Sequence, residues 1–150
     1  MDPQGQDGPD PAEEGPSMTL TTIEPAMTAA ADRYLADRVL TASPAELTGM
    51  LFDACVGAIK LAIRLQEAGE HLAATPKLVK AQDIVLELRT TLNPEAGELS
   101  TSLDALYTYA WSQLLQASLK RDTAAAREAL GVVEPLQQAW RTACLSTQVA

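Results

Sequence analysis

From residue 44 onward apolar side chains recur at helical spacing, whereas the first two dozen residues show no such period. Leu47, Leu51, Ala54, Ala58, Leu61 and Leu65 fall on one stripe at 100° per residue, which predicts an amphipathic helix from Pro44 to about Ala68 with that stripe in the core. A second apolar stripe, Phe52, Val56, Ile59 and Ile63, lies roughly 140° around from the first. Only Asp53, Gly57, Lys60, Arg64 and Glu67 remain for water, and one neighbouring helix cannot cover both stripes. Residues 70–76 read as a connection or an untidy first turn, with Thr75-Pro76 as a possible cap followed by a first helical residue. The second helix then carries Leu78, Ala81, Val85, Leu88 and Leu92 on its core face and Val79 and Leu86 on a flank. Asn93-Pro94 ends it, because the residue before a proline avoids the helical region. A third helix, about Ser100 to Lys120, turns Leu103, Leu106, Tyr107, Ala110, Leu114 and Ala117 inward and has a second stripe of Trp111, Leu115 and Leu119. The fourth is capped by Asp122 and runs through Ala126, Leu130, Val133, Leu136 and Trp140 to about Cys144, with a kink expected near Gly131 or Val132 because Pro135 lies inside it.

Short connections make successive helices antiparallel, so the expected fold is all-α: an up-down four-helix bundle over residues 44–145, with 146–150 as a C-terminal tail. Its start is sharply signalled. Ser43 suits the N-cap, Pro44 the first helical position, and the Glu46 carboxylate can reach back to the Ser43 backbone N–H. Gly69 supplies the stop of the first helix. Residues 25–43 turn alanine-rich and read as an N-terminal arm with a short helix, marginal in isolation. Residues 1–24 hold four prolines and three glycines among acidic and polar side chains, and such a segment cannot bury enough apolar surface to offset its ordering entropy. A disordered tail is expected there.

Charge narrows the partners. The 150 residues carry 11 basic and 20 acidic side chains, net −9, and seven of the acidic ones precede the first basic residue, Arg33. With no basic face, electrostatic binding to nucleic acid or to anionic lipid is disfavoured. No apolar run is long enough to span a bilayer, and the N-terminus has neither the basic nor the apolar region of a secretion signal, so the expected compartment is the cytoplasm. Cys55 and Cys144 make neither a disulfide framework nor a zinc site, and read as small buried hydrophobes. His71, the single histidine, sits in a connection. There is no Gly-rich phosphate loop, nucleophile elbow or Glu-x-x-His metal pattern. No catalytic residue, cofactor or metal is expected, and Lys120 and Arg121 are accounted for by the helix dipole.

What remains is surplus apolar surface on the first three helices. Either the second stripes pack on each other and on the arm, or they form a groove for a partner segment. Tyr34, the run Val39-Leu40-Thr41-Ala42-Ser43-Pro44-Ala45-Glu46-Leu47-Thr48, then Met50-Leu51-Phe52-Asp53 resemble the opening of the flagellin export chaperones, the FliS family. Lys80 to Leu88, Thr91-Leu92-Asn93, Leu106-Tyr107 with Tyr109, and Trp140 continue the resemblance in order, over roughly residues 34–144. It implies a non-catalytic helical bundle that holds the C-terminal segment of flagellin in the cytoplasm, prevents early polymerisation and delivers it to the flagellar type III export gate. It also implies binding roles for Tyr34 and Val39. Spacing adds Phe52, Val56, Ile59, Ile63, Trp111, Leu115 and Leu119 as the apolar cover, on a protein expected to be a monomer or weak homodimer. The long acidic extension, Pro135 and Trp111 depart from the family pattern. The competing reading is a helical scaffold, or a bundle that self-associates through the same stripes.

Overall fold

The structure, a computed structural model, describes residues 29–33, 35–38 and 40–149. The expected acidic tail, Tyr34 and Val39 lie outside the described residues. The chain falls into two units that divide between Ala42 and Ser43. In the first, every described residue from 29 to 41 is helical, and Thr41 Oγ1 donates back to the Asp37 carbonyl at 3.0 Å.

The second unit contains four helices: α1 (Pro44–Glu67), α2 (His71–Thr90), α3 (Glu98–Lys120) and α4 (Thr123–Val149). The Ser43 hydroxyl caps α1 by accepting from the Glu46 backbone N–H at 3.2 Å. The Glu46 carboxylate accepts from that hydroxyl instead of from the expected backbone amide. At the other end Gly69, at φ +79°, donates to the Gln66 carbonyl and Glu70 to the Leu65 carbonyl, the paired bonds of a Schellman stop. Helix α2 starts at His71 and not at Pro76, which lies inside it. Pro76 lies in the exposed second turn of α2 and removes the bond that would reach the Leu72 carbonyl. After α2, Asn93 caps a short 3₁₀ turn at Pro94–Ala96. Arg121 adopts the left-handed conformation (φ 52°) that stops α3, and Asp122 Oδ1 accepts from the Ala125 N–H as the predicted cap of α4. Helix α4 continues through Pro135 and runs to Val149, past residue 145 where the bundle was expected to end.

Each helix packs on two neighbours, α1 on α2 and α4, and α3 on α2 and α4. Their sense is antiparallel, because along α1 the residues Ala45, Asp53, Lys60 and Glu67 meet, in turn, Trp140, Arg141 with Gln137, Glu134 and Arg127 of α4. The buried core is aliphatic and rich in alanine: Ala58 and Ala62 on α1, Ala74 and Ala81 on α2, Ala110 and Ala117 on α3, and Ala125, Ala126 and Ala129 on α4 surround Ile59, Leu78, Val85, Leu88, Leu114 and Val133. Two glutamines interrupt it, Gln66 and Gln82. Gln66 Oε1 is buried without a hydrogen-bond partner, an arrangement that typically costs about 1–3 kcal/mol.

One expectation is corrected here. Phe52, Val56, Ile59 and Ile63 are 3%, 4%, 0% and 8% exposed and form the centre of the core, so they cannot line an outward groove. Of the stripe expected inside, Ala58 is buried, and Leu47, Leu51, Ala54, Leu61 and Leu65 are half-buried. Helical period reveals two stripes but not which of them faces the axis. Lying between α2 and α4, α1 turns to the axis the stripe that leaves Asp53, Lys60 and Glu67 along the α4 seam, and that is the stripe of Phe52, Val56, Ile59 and Ile63.

Candidate functional site: an apolar face on helices α2 and α3

The two opposite seams of the bundle differ in charge. Along the α1–α4 seam, Lys60 Nζ meets Glu134 Oε2 at 2.6 Å, Asp53 Oδ1 accepts from Gln137 at 2.8 Å and Arg141 at 3.1 Å, and Arg127 pairs with Glu67. These exposed pairs add little stability singly, but they cover that seam with charge. Across the bundle, the ion pair of the α2–α3 seam among the described residues is Arg89 Nε to Asp104 Oδ1 at 2.8 Å, at the end nearest the 3₁₀ turn.

Elsewhere on that side large apolar side chains are exposed among polar ones such as Thr75, Asp83, Thr108 and Ser112. Leu72, Val79 and Leu86 recur every seven residues on α2, form one row and are all exposed, Leu72 by 85%. The row lies roughly 60° outward of Gln82 and Arg89, the side chains that mark the seam through their bonds to α3. On α3, Asp104 marks the same seam. Leu115 and Leu119 fall roughly 20° and 60° outward of it, and Trp111 roughly 20° inward. Their exposure follows that order: Trp111 and Leu115 are half-buried and Leu119 is 74% exposed. The six side chains therefore line one outer surface astride the seam, about 21 Å long at 1.5 Å per residue from Leu72 to Leu86. A row of exposed or half-buried large apolar side chains on each of two neighbouring helices makes this face a candidate interaction surface.

Of the residues proposed from sequence spacing, this face brings together Trp111, Leu115 and Leu119 and excludes Phe52, Val56, Ile59 and Ile63. It adds the α2 row. Val79 and Leu86 were legible as a flank, but Leu72 was hidden by the misplaced start of α2, which left it in a connection. Leu106, expected in the core, is instead exposed with Leu99 and Tyr109 on the other flank of α3. There the Tyr109 hydroxyl donates to Glu128 Oε1 at 3.0 Å, and that bond raises its pKa.

The titratable groups offer structure and no chemistry. Burial pushes the Cys55 thiol up to about 12, and burial, with the neighbouring Cys55 second, raises Tyr107. Hydrogen bonds from the Gln116 amide and the Ala125 N–H hold Asp122 below the usual carboxylate range, consistent with its capping role. Among the described residues no group of three or more His, Cys, Asp or Glu side chains is placed to hold a metal ion, and no helix is long and apolar enough to cross a membrane.

The sequence model of the family described as "Flagellar protein FliS" matches residues 27–147. The chain is 40% identical over 113 residues to the flagellar secretion chaperone FliS of Bacillus subtilis (strain 168), a match spanning 75% of this chain and 84% of that one. It is 37% identical over 105 residues to the chaperone of the same name from Salmonella typhimurium, covering 69% and 78% of the two chains. The Escherichia coli (strain K12) protein is 34% identical over 110 residues, covering 72% and 81%. Among solved structures, one titled "Crystal structure of flagellar chaperone from bacteria" superposes with a TM-score of 0.62 over 79% of this chain and 98% of its own, at 22% identity, a likeness of fold.

Proposed function

The chain belongs to the FliS family of flagellar secretion chaperones, and from that premise we propose that its client is the C-terminal segment of flagellin, held on the α2–α3 face. The role is that of a binding protein and not of an enzyme. By covering the apolar surface of a cytoplasmic flagellin chain, it would prevent premature polymerisation and deliver the client to the flagellar type III export apparatus. The observation that supports this reading is the apolar strip of Leu72, Val79, Leu86, Trp111, Leu115 and Leu119, set opposite a seam closed by charge. A groove between two antiparallel helices suits an amphipathic helix of the client. Complete burial of a large apolar side chain is worth about 1.5–3 kcal/mol, so finishing the burial of four or five of them offsets the roughly 2–5 kcal/mol of ordering a flexible partner.

Calorimetry with a flagellin C-terminal peptide tests the proposal. The expected result is a one-to-one complex that Leu119→Asp or Leu86→Asp weakens at least about tenfold, or 1.4 kcal/mol, while helicity stays unchanged. The arm residues Tyr34 and Val39 enter as further substitutions, each expected to weaken the complex. No heat with the unaltered chain, together with a concentration-dependent shift to dimer on a sizing column, would favour the self-associating scaffold instead.

A further inference from the structure

Gln66 on α1 and Gln82 on α2 are buried in a core that is otherwise almost entirely apolar. Both donate their side-chain amide N–H to backbone carbonyls of the same helix. Gln66 Nε2 reaches the Ala117 carbonyl at 3.1 Å, and Gln82 Nε2 reaches the Leu114 carbonyl at 3.5 Å. The two acceptors lie within one turn of each other on the inner face of α3. Among the described residues, the other side-chain bond joining α3 to α1 or α2 is the exposed Arg89–Asp104 pair near its opposite end.

The surroundings explain why directional bonds matter at this place. Side chains that fix how far one helix sits along another are usually large and shaped, and here many are alanine: Ala110 and Ala117 on α3 share the core with Ala74 and Ala81 of α2 and Ala58 and Ala62 of α1. Alanine-lined faces pack closely but distinguish poorly between neighbouring registers. A buried polar contact penalises every register except the one that satisfies it.

We propose that Gln66 and Gln82 are positioning residues: they set the axial register of α3 and so hold Trp111, Leu115 and Leu119 beside the α2 row. The proposal rests on the reading of the α2–α3 face as the client site. Leu115 and Leu119 alternate along α3 with the two acceptor residues, Leu114 and Ala117, so the bonds act on the very turns that present the site. A slip of one turn would carry each of the three side chains about 5.4 Å along α2 and break their alignment with Val79 and Leu86.

The test uses the full chain and replaces the glutamines by methionine, which keeps length and flexibility but has no N–H: Gln66→Met, Gln82→Met and the double variant. Without any client, the nuclear magnetic resonance signal of the Trp111 indole N–H should broaden or split in the double variant, and amide exchange in α3 should accelerate at least about tenfold relative to α1. The Trp140 signal, fixed by its bond to the Ala45 carbonyl, should stay single. Affinity for the flagellin C-terminal peptide should fall about tenfold while the melting temperature holds or rises. A single, unshifted Trp111 signal with unchanged α3 exchange would overturn the proposal. So would a lowered melting temperature with unchanged affinity, since that is a purely structural role. If the double variant does not fold, Gln82→Met alone decides by the same readings, because it removes the longer bond. An unaltered chain that binds no peptide sinks the client reading, while the Trp111 signal still decides the register.

Discussion

The indole of Trp140, near the end of the last helix, donates to the Ala45 carbonyl in the first turn of α1 at 3.2 Å, and its ring lies 6.2 Å from that of Phe52 at a 41° tilt. This joins the two ends of the bundle sequence; beyond Pro135, Asp53 of α1 also meets Gln137 and Arg141, and Leu136 packs against the core. Trp140→Ala should cost about 2–3 kcal/mol, less than the roughly 3–5 of a fully buried tryptophan because the ring is half-exposed. Trp140→Phe keeps the contact with Phe52 and loses only the bond, at about 1 kcal/mol. Urea unfolding followed by circular dichroism measures both, and equal losses would show that the bond and not the ring holds α4.

Sequence reading located the helix ends well because their chemistry is local. Ser43 with Pro44, Gly69, and Asp122 each need only their neighbours to cap or stop a helix, and all three act in the predicted places. It failed where the answer depends on a distant partner. Two apolar stripes on α1 are equally legible in the chain, but which faces the axis depends on where α2 and α4 lie. Thr75-Pro76 imitates a helix start, yet the turn before it folds as helix because Ala74 is buried in the core and its N–H reaches the Glu70 carbonyl. Of the apolar face, the α3 half was visible as a second stripe. Of the α2 half, Val79 and Leu86 were visible as an apolar flank and Leu72 was not, since it fell before the expected helix start.

The corrected position of Ile59 makes a sharp prediction. It is fully buried between the other core side chains, so Ile59→Asp places an unpaired carboxylate in the interior and should abolish cooperative folding. Leu119→Asp, on the 74% exposed end of the apolar face, should change stability by less than about 0.5 kcal/mol. Thermal melts of the two variants separate core from surface. A folded Ile59→Asp chain would return that stripe to the list of surface candidates.

Two glycines should respond in opposite directions to the same change. A Cβ at Gly57, in the exposed middle of α1, would meet nothing within 4 Å, so Gly57→Ala should gain about 0.5–1 kcal/mol from helix propensity and a less flexible unfolded chain. Gly69 is equally open, but its φ of +79° is a conformation that alanine resists, and Gly69→Ala should lose about 1 kcal/mol. Chemical denaturation of both reports the sign directly. Stabilisation by Gly69→Ala would mean that the stop between α1 and α2 has another source than its left-handed residue.

The two cysteines differ in the same way in reactivity and in linkage to pH. Cys55 is fully buried with its thiol directed at the Ala81 carbonyl, 3.8 Å away, whereas Cys144 is half-buried. A thiol reagent at pH 8 should therefore modify one cysteine per native chain, Cys144, and reach Cys55 only at the rate of unfolding. Burial also raises the Cys55 pKa to about 12, against roughly 8.5 for an unfolded cysteine. Between those values the unfolded chain releases this proton and the folded chain keeps it, so stability is full below about pH 8.5 and falls as pH rises, by up to about 1.4 kcal/mol per pH unit. Denaturation between pH 8 and 9.5, below the range in which tyrosine ionisation dominates, should show this slope in the unaltered chain and in Cys144→Ser but not in Cys55→Ala. A slope that survives Cys55→Ala would assign the alkaline weakening to another buried group, with Tyr107 next in line because burial raises it as well.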